Sequence, residues 1–219
     1  MESAHSIAMA VFDLDGTLVK GNSSFNFCLY LSNKGVLPRF AIFYALWSYF
    51  CFYFGKVSLV DLHKKVFNRL LKGLKLSILE THMELFLVQF LDKAVYLPAV
   101  ESLRSAQRLG HYTLILSNAP SFLVKKIAAY FRVDAWRATE YAVDLEGKLS
   151  HISSILEGKD KAECVTCLAR QWRIGLADVT AYTDSHLDLP LLETAGTAVG
   201  VNPNRILRKI CKRSNWKIL

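Results

Sequence analysis

Short apolar runs alternate with longer amphipathic stretches along this chain of 219 residues, and the alternation predicts most of its elements. Ile7 to Phe12 is an apolar run ending on Asp13, Asp15 and Gly16, the pattern of a strand buried on both faces. From about Lys20 to Lys93 the patterning is helical, with no strand-and-turn alternation. Leu97 and Pro98 then lead an amphipathic helix to about Leu109, stopped by Gly110. Tyr112 to Leu116 predicts a second buried strand closed by Ser117 and Asn118, and Pro120 and Ser121 open a helix to about Phe131. Ala138 to Asp144 and Lys148 to Ile152 flank Glu146 and Gly147 as a β-hairpin. A helix over Asp160 to Trp172 precedes a third buried strand, Val179 to Thr183, followed by the acidic Asp184 and Asp188. Thr197 to Val201 predicts a fourth strand, and Asn204 to Arg213 a basic helix.

Strands alternating with helices predict an α/β fold, a Rossmann-like parallel sheet with an all-helical stretch inserted after its first strand. Residues 1–19 and 94–219 would form the α/β core, and 20–93 a helical domain. Asp13, Ser117 and Asp184 each sit just past the C-terminal end of an apolar strand. In an open parallel sheet those ends line one crevice, where ligands bind, so three residues distant in sequence should converge.

The run VFDLDGTLV places Asp13 and Asp15 two apart at a strand end, with Gly16 for the exit turn. Two carboxylates there can divide the labour. Asp13, ionised beside a metal, can act as nucleophile. Asp15, with a raised pKa, can protonate a leaving alkoxide and then take a proton from water. The plainer alternative for this pair is a strand-end Asx turn.

VFDLDGTLV resembles the first motif of the haloacid dehalogenase (HAD) superfamily. LILSNAP is similar to the second motif, EGKDK to the third and AYTDSHLDLPLL to the fourth, in the expected order. The resemblance runs from Val11 past the VNPNRILRK segment, and it is closest to phosphoserine phosphatase-like hydrolases, which insert a helical cap between the first two motifs. It implies a HAD fold and a phosphatase or phosphotransferase acting through an aspartyl-phosphate. It further implies Mg²⁺ held by the Asp13 carboxylate, the Asp15 main-chain carbonyl and Asp184. Asp188 would reach the metal shell through water or orient Lys159. The Ser117 hydroxyl and Asn118 N–H would hold phosphoryl oxygens. Lys159 would offset charge in the transition state, with Lys161 the alternative if the alignment shifts. The dehalogenases lack the second aspartate and the P-type ATPases carry Thr there, so Asp15 implies rapid turnover of the phosphoenzyme.

Composition narrows this picture only a little. Hydrophobic residues make up 52% and charged residues 21%, which suits a packed core and excludes a disordered chain. The net charge of +8 points to anionic partners: phosphorylated metabolites, nucleic acid or an acidic membrane face. Residues 20–95 hold ten Lys or Arg against four acids, so most of the excess lies in the insert. No nucleic-acid module accompanies the basic tail helix, and no nucleic-acid partner is expected. Cys164 and Cys167 lack a second Cys or His pair and read as helix residues of a reducing compartment. No secretory signal precedes Asp13, so the expected address is the cytoplasm. His186 reads as a loop residue, and His5, His63, His82, His111 and His151 share no metal-ligand spacing.

Substrate choice should come from the insert. Residues 40–55, FAIFYALWSYFCFYFG, carry nine aromatics and no charge, with Arg39 and Lys56 at the edges. This segment falls short of the roughly 20 residues needed to span a bilayer. It reads either as a helix buried in the insert or as an interfacial segment making peripheral contact with the inner face of a membrane. Phosphoserine phosphatases carry a glutamate where this chain has Asn22, and their cap arginine falls near Val66 or Phe67 here, so an alcohol or lipid phosphate such as phosphatidylglycerophosphate is the expected substrate. The alternatives are a small-metabolite phosphatase of the phosphoserine or histidinol-phosphate kind, and a non-catalytic membrane-bound or partner-binding protein that keeps the fold.

Overall fold

The structure, a computed structural model, describes residues 8–219, with Tyr53 described through its backbone alone. Ile7, expected in the first strand, and His5 lie outside the described residues. A seven-stranded sheet organises the rest: β1 (Met9–Phe12), β2 (Tyr112–Pro120), β3 (Ala135–Val143), β4 (Leu149–Ser154), β5 (Val179–Thr183), β6 (Thr197–Gly200) and β7 (Lys217–Ile218). Their spatial order is β4-β3-β2-β1-β5-β6-β7. All neighbours pair in parallel except β3 and β4, the expected hairpin.

β1 lies inside the sheet because all four of its side chains are apolar and small enough to be buried on both faces. Ala10 and Phe12 enter one core and Met9 and Val11 the other, as the two-residue period of a strand requires. β2 divides the same way, with Ile115 on the first face and Leu114 and Leu116 on the second. Helices α5 (Leu97–Arg108) and α6 (Ser121–Phe131) cover the first face. Helices α7 (Gly158–Gln171), α8 (Leu189–Thr194) and α9 (Arg205–Arg213) cover the second.

Between β1 and α5 the chain makes four helices: α1 (Ser23–Asn33), α2 (Phe40–Tyr53), α3 (Leu59–Val66) and α4 (Leu76–Ala94), with a π-helical turn over Phe67–Leu71. The entry and exit of this insert are tied together. The Lys20 N–H donates to the Ala94 carbonyl at 2.6 Å and the Tyr96 N–H to the Leu18 carbonyl at 2.9 Å. Its far end is fastened to the hairpin, where the Gly73 N–H donates to Leu149 O at 2.8 Å and the Leu76 N–H to Gly147 O at 2.9 Å. Phe27, Leu31, Leu79 and Met83 of the insert join the first core. The segment 40–55 is buried only in part: α2 buries Ala41, Ala45 and Ser48 and turns Phe43 and Trp47 to solvent.

Two differences from the sequence expectation bear on the site. β2 runs four residues past Leu116, and its pairing with β3 is irregular between Ser117 and Pro120, as at a β-bulge. β7 was not expected, since two residues leave no periodic signal. Leu116 is fully buried against the second core. Leu116→Ala should lower unfolding stability by about 2–5 kcal/mol, read by urea denaturation, because the close-packed sheet cannot collapse into the space left.

Candidate active site

Strand register brings the distant residues together. Phe12 pairs with Ile115 on one side and with Tyr182 on the other. Asp13, Ser117 and Asp184 therefore lie within two positions of one another along three adjacent strand ends. The Asp13 N–H still donates to the Tyr182 carbonyl at 2.9 Å, so the backbone at Asp13 remains part of the sheet.

Gly16 makes the next turn with φ of +82°, a conformation that side chains disfavour. A methyl group there would overlap the Asp184 carboxylate. Glycine thus lets the Asp184 carboxylate lie close against the Gly16 backbone. The Asp15 side chain turns towards the insert, where its Oδ1 accepts the Ser23 N–H at 2.8 Å. Its Oδ2 is buried and has no hydrogen bond among the described residues, as is true of the neighbouring Thr17 and Ser23 hydroxyls.

Lys161 occupies the centre. It is 2% exposed, and its Nζ donates to Asp13 Oδ1 at 2.7 Å and to Asp188 Oδ2 at 2.8 Å. Thr183 Oγ1 donates to the same Asp188 oxygen at 2.8 Å, fixing that carboxylate. Lys159, the lysine expected in this role, is exposed at the start of α7, and the expectation is corrected to Lys161. Helix geometry decides between them: at 100° per residue the two lysines point to nearly opposite sides. Gly158, Lys161, Ala162, Val165, Leu168 and Ala169 form the buried face of α7. Gly158 has its own reason to be there, since a methyl group would overlap the Leu187 carbonyl. That close approach sets the first turn of α7 on the Asp188 turn and carries Lys161 to Asp13.

The electrostatics follow from crowding. Burial pushes the Asp13 carboxyl well above its ordinary range; Lys161 pulls it back, and Asp188 and Asp184 push it up again. Burial raises Asp15 to about 6, against the lowering effect of Ser23 beside it. Asp184 is pushed up to about 7 by burial and by Asp188. Burial lowers the Lys161 ammonium, but Asp13 and Asp188 more than offset this and keep it charged. Negative groups thus outnumber the positive ones in a buried space, an arrangement that a divalent cation would relieve. The donors available to it are hard oxygens: the Asp13 and Asp184 carboxylates and the Asp15 carbonyl. Among the described residues no three His, Cys, Asp or Glu side chains cluster with metal-ligand spacing. A site here would therefore use two carboxylates and a main-chain oxygen.

The remaining expected residues lie near the C-terminal end of β2. Ser117 is fully buried and its Oγ accepts the Ala119 N–H at 3.1 Å, leaving its own hydrogen to donate. Asn118 is half-buried beside it. His186 has a partner that the sequence did not reveal: its Nδ1 lies 3.0 Å from the Asn204 side-chain nitrogen. Sequence reasoning also missed Ser23, although Asn22-Ser23-Ser24 before an apolar run is a helix-start signature. Asn22 is the cap itself, its side chain accepting the Phe25 N–H at 2.7 Å.

The chain matches the haloacid dehalogenase-like hydrolase family over residues 10–193. It belongs to that family. It is therefore a hydrolase, as the motifs implied. Among curated relatives, a phosphoserine phosphatase of Mycobacterium tuberculosis is 29% identical over 96% of this chain and 70% of its own length. A histidinol-phosphatase of Neisseria meningitidis is 25% identical over 96% and 97%. Among solved structures, a Bordetella pertussis protein of unknown function superposes with a TM-score of 0.85, at 21% identity, over 97% of this chain and 98% of its own. A phosphoserine phosphatase in a phospho-aspartyl intermediate analogue form shares the fold with a TM-score of 0.72, at 20% identity, over 97% and 92%.

The two lysines should separate cleanly in stability. Lys161→Met leaves Asp13 and Asp188 buried without their cation and should cost about 3–5 kcal/mol at neutral pH by urea denaturation. Lys159→Ala, at an exposed position, should stay within about 0.5 kcal/mol of the parent protein.

Proposed function

We propose that the protein is a Mg²⁺-dependent phosphomonoester hydrolase that works through an aspartyl-phosphate on Asp13. The observation that carries this reading is the ammonium of Lys161 shared between Asp13 and Asp188 at the foot of a crevice that also holds Asp184. Bound Mg²⁺ would supply charge neutralisation for the approaching phosphate. Asp13, Asp184 and the Asp15 carbonyl would hold it, with Asp188 acting through Lys161 rather than as a direct ligand.

Asp13 attacks phosphorus, and the ester P–O bond breaks as Asp15 protonates the departing alkoxide. A carboxyl raised to about 6, with one buried oxygen outside any hydrogen bond among the described residues, suits that task. In the second half Asp15 takes a proton from water, which attacks phosphorus and releases phosphate and free Asp13. The Ser117 hydroxyl and the Asn118 N–H hold phosphoryl oxygens, while Lys161 favours the anionic form of Asp13 and offsets the charge of the incoming dianion.

The substrate that fits best is an alcohol or lipid phosphate. The position where phosphoserine phosphatases carry an amine-binding glutamate is Asn22, which is engaged in capping α1. Val66 and Phe67 stand where their arginine would be, and Phe67 is buried beside Tyr141. The insert, with ten basic residues against four acidic, favours an anion over an amine. The names of the M. tuberculosis and N. meningitidis relatives favour the second reading, a phosphatase of small amine-bearing metabolites. We place the core at 1–19 and 94–219 and a helical cap at 20–93, and the protein in the cytoplasm at the inner membrane face. Its five free cysteines suit a reducing compartment.

Turnover of p-nitrophenyl phosphate should depend on Mg²⁺ and stop with EDTA. Asp13→Asn should abolish it with the fold retained, and undiminished turnover in that variant would overturn the proposal. Lys161→Ala should lower kcat by about 10²–10³-fold, the loss expected when one preorganised charge is removed. Lys159→Ala should leave kcat within about twofold, as for an exposed residue outside the site.

A further inference from the structure

Helix α2 is built with its small residues inward and its large ones outward. Ala41, Ala45 and Ser48 are buried against the rest of the insert. Phe40, Phe43, Trp47 and Phe50 recur at three- and four-residue steps and form an exposed stripe along the helix, with Phe43 at 76% and Trp47 at 65% exposure. Leu46 and Tyr49 widen it. The rings stack on one another, Trp47 on Phe50 at 5.8 Å, so they make one continuous apolar surface. Scattered surface apolar residues need no explanation, but a contiguous aromatic face of this kind does.

The rim of this face is cationic. No charge occurs from Phe40 to Gly55, and exposed Arg39 and Lys56 lie at its two ends. Exposed Lys64, Lys65 and Arg69 follow on α3 and the π-helical turn, and the Arg69 guanidinium lies 5.6 Å from the Phe40 ring centroid. The one acid of that stretch, Asp61, is engaged by the Ser58 hydroxyl at 2.8 Å. No helix among the described residues is long and apolar enough to cross a membrane. An uncharged aromatic face with cations at both ends, Arg69 against its first ring and further lysines exposed on the next helix suits an anionic bilayer surface, with acyl chains below and anionic headgroups at the level of the cations. A second copy of this chain fits less well, because pairing α2 faces would set two basic rims against each other.

We propose that the α2 face, with Arg39, Lys56, Lys64, Lys65 and Arg69 at its rim, docks the protein on the surface of an anionic bilayer. The inference deepens the lipid-phosphate reading above but is measured without turnover. Purified full-length protein is sedimented with vesicles of about three parts phosphatidylcholine to one part phosphatidylglycerol, and with phosphatidylcholine alone. The bound fraction should be at least about tenfold higher on the anionic vesicles and should fall as salt is raised. Phe43→Ser/Trp47→Ser should reduce it about tenfold, as should Lys64→Glu/Lys65→Glu, with folding checked by circular dichroism. Tryptophan emission should shift to the blue on adding anionic vesicles, and Trp47→Phe should remove most of that shift. Asp13→Asn should bind like the parent protein, which separates failure of the docking from failure of the catalytic reading. Full recovery of the parent protein in the supernatant, or undiminished binding by Phe43→Ser/Trp47→Ser, overturns the proposal. A dimer in the absence of vesicles that this double variant dissociates would make a second copy the occupant, and would overturn it too.

Discussion

One ammonium group shared by two carboxylates holds the functional end of this molecule together. Lys161 joins Asp13 at the end of β1, 148 residues before it, to Asp188 in the turn after β5, 27 residues after it. All three groups are nearly dry, so each alone would be strongly disfavoured. Together they are tolerable, and only in this arrangement. The bridge therefore acts as a geometric constraint more than as a source of stability, since replacing a buried ion pair by packed apolar groups is often no worse. Its place in a crevice at the strand ends suits the proposed role of Lys161 in favouring the anionic form of Asp13.

That constraint explains otherwise unrelated features of the chain. Gly158 is needed because the first turn of α7 rests on the Leu187 carbonyl, and any side chain would lift Lys161 away. Gly16 is needed because Asp184 lies where a Cβ would be. Thr183 donates its hydroxyl hydrogen to the same Asp188 oxygen that accepts from Lys161, which fixes that carboxylate. Three glycine or hydroxyl positions with no chemistry of their own thus serve to fix a lysine and two aspartates. Asp15 is connected differently. Its Oδ1 accepts from the N-terminus of α1, so the proposed acid and base is held by the first helix of the insert. Whatever displaces that helix also disturbs Asp15, and the insert is thereby coupled to the chemistry beneath it.

Much of this was legible in the sequence, and the gaps have physical causes. Buried parallel strands announce themselves as apolar runs, and β5 falls on Val179–Thr183 as its pattern predicts. Asp13, Ser117 and Asp184 could be brought together because parallel strands end on the same side. The wrong lysine was favoured because EGKDK contains two, and motif spacing alone does not say which one turns inward. The helical period does: Lys161 falls on the stripe of Ala162, Val165 and Leu168, and a charged residue on an apolar stripe signals a buried partner. Ser23 was missed because a main-chain N–H carries no residue-type signal. The hydrogen-bonded fastening of the insert to the hairpin at Gly73 and Leu149 is invisible for the same reason.

The segment 40–55 shows why hydrophobicity does not by itself predict burial. A helix apolar all round is expected inside, yet only the side carrying Ala41, Ala45 and Ser48 is covered. Small side chains allow close approach of backbones, so α2 can pack on the insert through its least hydrophobic side. Packing the aromatic side inward would need a much larger cavity than a four-helix insert provides. Leaving large rings in water forgoes roughly 1.5–3 kcal/mol for each side chain that could have been buried. A fold that accepts that loss several times over in one stripe, beside five exposed cations, gains stability only when something apolar and anionic covers the stripe. The unfavourable exposure of α2 in water and the proposed affinity for a bilayer are then one quantity seen from two sides.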